Sequence, residues 1–177
     1  MGQALKKTFA GAIRPAQPSD IAAIIAIEED CFPAEEQWPR DTLESYVKFS
    51  AKFPAMVPML IAAPDSDAKG PAGYILGMLM NDGIGEISSL AVTTAYANHG
   101  LGRELLKRVS DSLTAAGATK LVLQVSVDNP GAIHLYETSG FVRDKILPGY
   151  YQTANGRKDG IEMIRPVKKP AAKPLKP

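Results

Sequence analysis

The spacing of apolar residues alternates between a two-residue and a three-to-four-residue period along this chain, and each switch marks an element. Residues 9–14 form a short strand pattern closed by Pro15. Gln17, Pro18, Ser19 and Asp20 supply helix-start chemistry, and Ile21, Ile24, Ile25 and Ile27 recur at helical spacing. That helix ends near Cys31-Phe32-Pro33, because a residue before proline is pushed out of the helical region. A loop over 33–39 carries Glu35, Glu36 and Trp38. A second helix is predicted over 41–52 with Leu43, Tyr46, Val47 and Phe49 facing inward. Strands follow over 59–63 and 73–80 around a polar turn at 64–70, and Asn81-Asp82-Gly83 makes a tight turn into a strand over 86–92. A helix opens at Gly100, with Leu101, Leu105, Val109 and Leu113 on one face until Gly117 stops it. Residues 120–126 are a strand, 129–139 a short helix ended by Gly140, and 141–147 and 160–165 two last strands.

The order is strand, two helices, three strands, helix, strand, helix, two strands. It predicts an α/β fold, a mixed sheet with helices on both faces. At 177 residues the chain fits one domain over 9–167. Residues 1–8 read as a flexible N-terminus, and the Lys/Pro/Ala-rich stretch 168–177 as a disordered, solvated tail.

Charge and cysteine content narrow the function. A net charge of +1 argues against a nucleic-acid binder. The single cysteine, Cys31, excludes an internal disulfide framework and fits a reducing compartment. No apolar run reaches the ~18 residues of a membrane span, and the N-terminal pattern is not that of a secretory signal. The expectation is a cytoplasmic protein, monomeric or homodimeric, that does not engage a membrane. His99 and His134 have no second ligand type at useful spacing, so no metal site is expected. Cys31 reads as a packing residue rather than an acyl carrier.

The stretch Glu86 to Arg103 holds the chemistry. A strand ending Leu90-Ala91-Val92 leads through a loop to a helix that opens on Gly100-Leu101-Gly102. A helix N-terminus offers unpaired N–H groups and partial positive charge, which suit a pyrophosphate, and glycines admit close approach. Arg103 adds a full charge. A dinucleotide fingerprint would need a small residue where Leu105 stands, and a Walker loop needs a Gly-Lys-Ser/Thr that is absent.

This stretch resembles motif A of the GNAT acetyltransferase superfamily, with Ala97 where that family has Arg or Gln. The block Asn129-Pro-Gly-Ala132-Ile-His-Leu135-Tyr136-Glu-Thr-Ser-Gly140-Phe141 resembles its motif B, and Arg14-Pro-Ala16 with Asp20 resembles its opening. Within the superfamily the chain is most similar to protein N-terminal acetyltransferases of the RimI type, through Ile87–Val92 and through Tyr150-Tyr151, which resemble a substrate-gripping tyrosine pair. The resemblance implies a GNAT fold: about seven mostly antiparallel strands splayed between the fourth and fifth, with four helices. It implies acetyl-CoA as cosubstrate, held by Leu90, Ala91, Val92, Asn98, His99, Gly100, Leu101, Gly102, Arg103, Asn129 and Tyr136. Tyr136 is the implied proton donor to the leaving sulfur.

The implied base is open. Gln124 stands where RimI-like enzymes carry a glutamate, which leaves Glu86, Glu35 or a chain of waters. Glu35, Tyr150 and Tyr151 are implied substrate contacts, with Trp38 packed in the same loop. An α-amine with pKa near ~8 is about a tenth neutral at pH 7, against roughly one part in 2,500 for lysine. That difference favours a protein N-terminus or small amine as acceptor.

Overall fold

A computed structural model describes residues 9–65 and 70–167. The expectations for residues 1–8 and 168–177, and part of the turn at 64–70, lie outside those residues. The strands are β1 (Gly11–Pro15), β2 (Met59–Pro64), β3 (Gly73–Leu79), β4 (Ile84–Val92), β5 (Lys120–Ser126), β6 (Val142–Thr153) and β7 (Gly156–Pro166). The helices are α1 (Ile21–Cys31), α2 (Arg40–Lys52), α3 (Leu101–Ala115) and α4 (Pro130–Glu137). One sheet runs in the order β1-β2-β3-β4-β5-β7-β6, and only β4 and β5 are parallel.

Each face of the sheet has its own core. Ile24 and Ile27 of α1 and Leu43 and Val47 of α2 bury against Ile61, Tyr74, Leu76 and Ala91. On the other face Leu105, Val109 and Leu113 of α3 pack with Ile75, Ile87, Leu121 and Leu123, and Ile133 and Tyr136 of α4 join Phe141, Ile161 and Met163. Helix α1 is anchored at its start by Asp20. Its carboxylate accepts a two-pronged bond from Arg14 at 2.7 and 2.8 Å and one from the Gln17 N–H at 2.8 Å. The guanidinium holds that carboxyl below its ordinary range.

The feature that shapes the site is an opening in the sheet. β4 runs from Ile84 to Val92 but pairs with β5 only over Ile84–Ile87. A register shift between Leu76 and Gly77 on β3 marks the same point. Beyond it β4 stays bound to β3 and leaves β5.

Two expectations are corrected. Phe49 is exposed rather than inward-facing and stacks on Phe53, with ring centroids 6.4 Å apart. Helix α2 needs only Leu43 and Val47 to fill its buried stripe, and Phe49 lies beyond its edge. The last two strands do not stop at 147 and restart at 160. β6 continues through Pro148 and Gly149 to Thr153 and turns directly into β7 at Gly156. A break in register between Leu147 and Tyr151 absorbs the two breakers, with Gly149 at φ 58. None of the described helices is long and apolar enough to cross a membrane.

Candidate functional site

The open half of β4 presents donors. Thr93 N–H bonds Ala72 O, which sets the alternation of the antiparallel ladder with β3. Ala91, opposite Tyr74, therefore spends its backbone groups on β3, while Leu90 and Val92 turn theirs toward the side that β5 has left. Of the three residues singled out here, Leu90 and Val92 direct their N–H groups away from β3 and Ala91 does not, and the Val92 backbone also hydrogen-bonds the Cys31 thiol. At the mouth of the gap the Ser88 hydroxyl is buried with no partner among the described residues. An orphaned hydroxyl is rare in a protein interior, and a polar group entering the gap would satisfy it.

The loop after β4 makes a 3-10 turn over Thr94–Tyr96 and is tied to α1, because Asp30 accepts from Thr94 N–H at 2.9 Å. Asn98 takes φ 62 and Gly100 φ 86, two successive left-handed turns of the backbone that aim the chain into α3. Asn98, His99 and Gly100 are exposed, and nothing lies within 4 Å of where a Gly100 side chain would begin. A Cβ on Gly102 would approach Leu135 at 3.3 Å and Val92 at 3.6 Å. Gly102 thus lets α3 start close against α4 and the end of β4. Open space lies beside Gly100, and no described residue accepts from the Leu101, Gly102 or Arg103 N–H groups, which fits a diphosphate. His99 Nδ1 sits 2.6 Å from Ala97 O, a contact that holds the loop to itself. Arg103 is turned to α4, where its guanidinium bonds Thr138 O and Oγ1 at 3.1 and 2.8 Å. Leu101 is buried and anchors the helix from below.

Asn129 caps α4, its Oδ1 accepting from Ala132 N–H at 3.0 Å, so its amide nitrogen is the group left to donate outward. Two helix turns on lies Tyr136, 8% exposed and edge-on to Phe141. Burial alone pushes its phenol up to about 12, and no described residue hydrogen-bonds its hydroxyl. It stays protonated at any physiological pH, which is what a proton donor requires.

Carboxylates and tyrosines gather on the α1 face of the sheet. Glu86 is half-buried on β4. Burial first, and the charge of Glu162 second, raise its carboxyl above the usual range. Glu162, on β7 directly across from Gln124, was not singled out in the sequence. It bonds Lys145 Nζ at 2.9 Å and the Gln124 amide at 3.4 Å, and the lysine holds its carboxyl low and charged. Only the β5–β7 pairing reveals it, since 38 residues separate it from Gln124. Tyr150 and Tyr151 stand on β6, centroids 5.0 Å apart and edge to face. Gly160 opposite makes room, because a Cβ there would meet Tyr150 at 3.2 Å and Tyr151 at 3.3 Å. Burial chiefly raises both phenols. The charges that add to the effect are Glu86 and Glu162 for Tyr150, and Tyr150, Tyr136 and Glu36 for Tyr151. The structure therefore sets Glu86, Glu162 and Tyr150 within electrostatic reach of one another, and Tyr136, packed in the core of the opposite face, acts on Tyr151. Glu35 is exposed in the loop after α1, and its half-buried neighbour Glu36 is the loop carboxylate that acts on Tyr151.

Two groups stay out of the chemistry. Burial, with the charges of Asp30 and Glu28, pushes the Cys31 thiol up to about 11, so it is no nucleophile. Among the described residues no cluster of three or more His, Cys, Asp or Glu could hold a metal ion.

Comparison with known proteins agrees with this geometry. Residues 21–141 match the model of the acetyltransferase (GNAT) family. The chain is 42% identical over 79 residues to the [ribosomal protein bS18]-alanine N-acetyltransferase of Escherichia coli, a match spanning 45% of this chain and 53% of that protein. It is 39% identical over 81 residues to human N-alpha-acetyltransferase 30, spanning 46% of this chain and 21% of that one. The matched stretch is thus about half the length of the bacterial relatives and less of the human one. The crystal structure of the ribosomal-protein-S18-alanine N-acetyltransferase from E. coli superimposes with TM-score 0.75 at 26% identity, over 94% of this chain and 99% of that one. A NatC complex bound to Gag peptide and CoA shares the fold, with TM-score 0.72 at 24% identity over 90% of this chain and 100% of that one.

Proposed function

The chain belongs to the acetyltransferase (GNAT) family, and from that premise we propose that it transfers an acetyl group from acetyl-CoA to the N-terminal α-amine of a protein or peptide by direct attack in a ternary complex. The observation that carries the proposal is the opening between β4 and β5, flanked by the first turn of α3 and by Tyr136. N–H groups of Gly100, Leu101 and Gly102 hold the diphosphate, and the Asn129 amide donates to the pantetheine arm. Leu90 and Val92 donate to the thioester carbonyl as negative charge grows on its oxygen. Loss of the side-chain contact at Ala97 leaves these backbone donors in place.

Glu86 takes the proton that the substrate ammonium must shed, directly or through a water, and the neutral amine that results attacks the thioester carbonyl. Among the described residues none hydrogen-bonds the Glu86 carboxyl, and its raised pKa makes it a stronger base than an ordinary carboxylate. As the carbon–nitrogen bond forms and the carbon–sulfur bond breaks, Tyr136 gives its proton to the leaving sulfur. A thiol has pKa near ~8.5, so a phenol at about 12 donates uphill by roughly 3–4 units. The transfer has to accompany bond breaking rather than precede it. The charged Glu162 and the tyrosine pair receive the peptide's first residues. An α-amine begins about 250-fold more deprotonated than a lysine, which matches a site whose base is half-buried rather than strongly activated.

The test is thiol release from acetyl-CoA with a panel of peptides differing in their first two residues, alongside polyamines and free amino acids. Turnover on peptides with a preference at the first position supports the proposal. Turnover on small amines alone would transfer it to a different acceptor class, and binding without any turnover would make the chain an acyl-CoA sensor.

A further inference from the structure

One buried ionisable group is unused by the chemistry above. Glu28, on the inward face of α1, is 1% exposed, and burial raises its carboxyl above the usual range. It is fully occupied. Oε2 accepts from the Trp38 N–H at 2.8 Å, and Oε1 lies 2.5 Å from the Tyr74 hydroxyl. Ser89 Oγ lies 2.9 Å from the same hydroxyl. A phenol has one proton, so with Tyr74 donating to Glu28 the serine donates to Tyr74. Three elements and a loop meet at this point: α1, β3, β4 and the segment between α1 and α2.

The loop is the dependent member. β4 is held by β3 over its whole length, and Tyr74 is packed in the core. The loop over 33–39 has the Trp38 N–H bond to Glu28, a side-chain bond from Gln37 back to Phe32 O at 2.9 Å, and the edge contact of Trp38 with Tyr46. Glu36 N–H also bonds Pro33 O at 2.9 Å within the loop, and Pro39 O accepts from Leu43 N–H of α2 at 3.1 Å, while the bond to Glu28 ties the loop to the buried face of α1. Glu36 in this loop lies near enough to Tyr151 for its charge to act on that phenol, so the loop flanks the tyrosine pair. Ser89, at the far end of the relay, is next to Leu90 on the open stretch of β4.

We propose that Glu28 is a positioning residue that sets the substrate wall: by holding Trp38 N–H and, through Tyr74, Ser89, it fixes the 33–39 loop relative to the open strand and so governs acceptor binding without touching acceptor or acetyl-CoA. This inference rests on the peptide-acetylation reading above. A buried carboxylate that accepts two hydrogen bonds is worth more than a neutral acceptor, and removing one partner leaves the other unsatisfied.

Two variants test it. Glu28→Gln keeps the shape but turns an acceptor oxygen into an NH2 donor that faces either Trp38 N–H or the Tyr74 hydroxyl. Tyr74→Phe keeps the ring and removes only the hydroxyl, so it serves where the first variant folds poorly. In each, peptide KM, kcat at saturating peptide and the calorimetric affinity for acetyl-CoA are measured. The expected result is a peptide KM raised about tenfold in Glu28→Gln and by less in Tyr74→Phe, with acetyl-CoA affinity unchanged. Combined, the two changes should cost less than the product of their separate effects, because they cut one relay. An active wild type whose variants leave peptide KM unmoved, or lose peptide and acetyl-CoA binding in parallel, overturns the role of Glu28 alone. A wild type inert on every peptide overturns the underlying reading, and this inference with it.

Discussion

Burial raises the proton affinity of both Tyr136 and Glu86, and the proposed reaction uses the two shifts in different roles. Tyr136, driven up to about 12, would hold its proton until a thiolate forms beside it, while Glu86, also raised, would take a proton more readily than a surface carboxylate. Tyr136→Phe keeps the ring against Phe141 and removes only the donor, so kcat should fall ~10²-fold with acetyl-CoA affinity intact. Single-turnover kinetics beside calorimetry checks both halves. Glu86 works only when deprotonated, so kcat/KM should fall as pH drops through its pKa, with the acidic limb above the ordinary carboxylate range. Glu162 raises that pKa by like-charge repulsion. Glu162→Gln should therefore move the limb to lower pH, and Glu86→Gln should abolish it, leaving only the limb set by the substrate amine near ~8. A limb that ignores both changes but disappears in Glu35→Gln would move the base to the loop.

At the level of elements, the helix α3 start and the β6–β7 hairpin do separate jobs. Gly100 sits at φ 86 with empty space beyond it, so Gly100→Ala meets no clash but forces a side chain into the left-handed region at a cost of about 1–2 kcal/mol. The expected outcome is a weaker acetyl-CoA complex with peptide KM unchanged, read by calorimetry and by steady-state kinetics. Gly160→Ala acts at the other end, pushing on Tyr150 and Tyr151 from 3.2–3.3 Å, and should raise peptide KM while leaving acetyl-CoA binding alone. The helix start was legible in the sequence because Gly100 stands directly before Leu101, Leu105, Val109 and Leu113 at helical spacing. The resemblance pointed to a hairpin around the tyrosine pair, but the length of its strands was not legible, since Pro148-Gly149 reads as the end of a strand and the break in register that absorbs it depends on β7. Glu28 and Glu162 escaped for the same reason. Each looks like an ordinary charge in a helix or strand until Tyr74 and Trp38, or Gln124 and Lys145, are brought against it by pairings 10 to 46 residues apart.

For the molecule as a whole, the parallel β4–β5 pair is the origin of the site. Every other neighbour in the sheet runs antiparallel, and this one pair separates after Ile87 and Leu123. The gap exposes backbone donors on β4 and seats Tyr136 on one face, with Glu86 and Glu162 on the other. The order of elements and the two cores follow from apolar periodicity, which is why the architecture was readable from the chain alone. Where two strands part is decided by packing on both faces, which periodicity does not encode. The most direct measurement is calorimetric titration of the intact chain with acetyl-CoA, paired with a thermal melt. The account predicts one site per chain and, at a hundredfold excess over Kd, about 2.7 kcal/mol of added stability, or roughly 5–10 °C in Tm. Absence of both heat and thermal shift would contradict it, because nothing else in the proposal survives without a diphosphate held at Gly100.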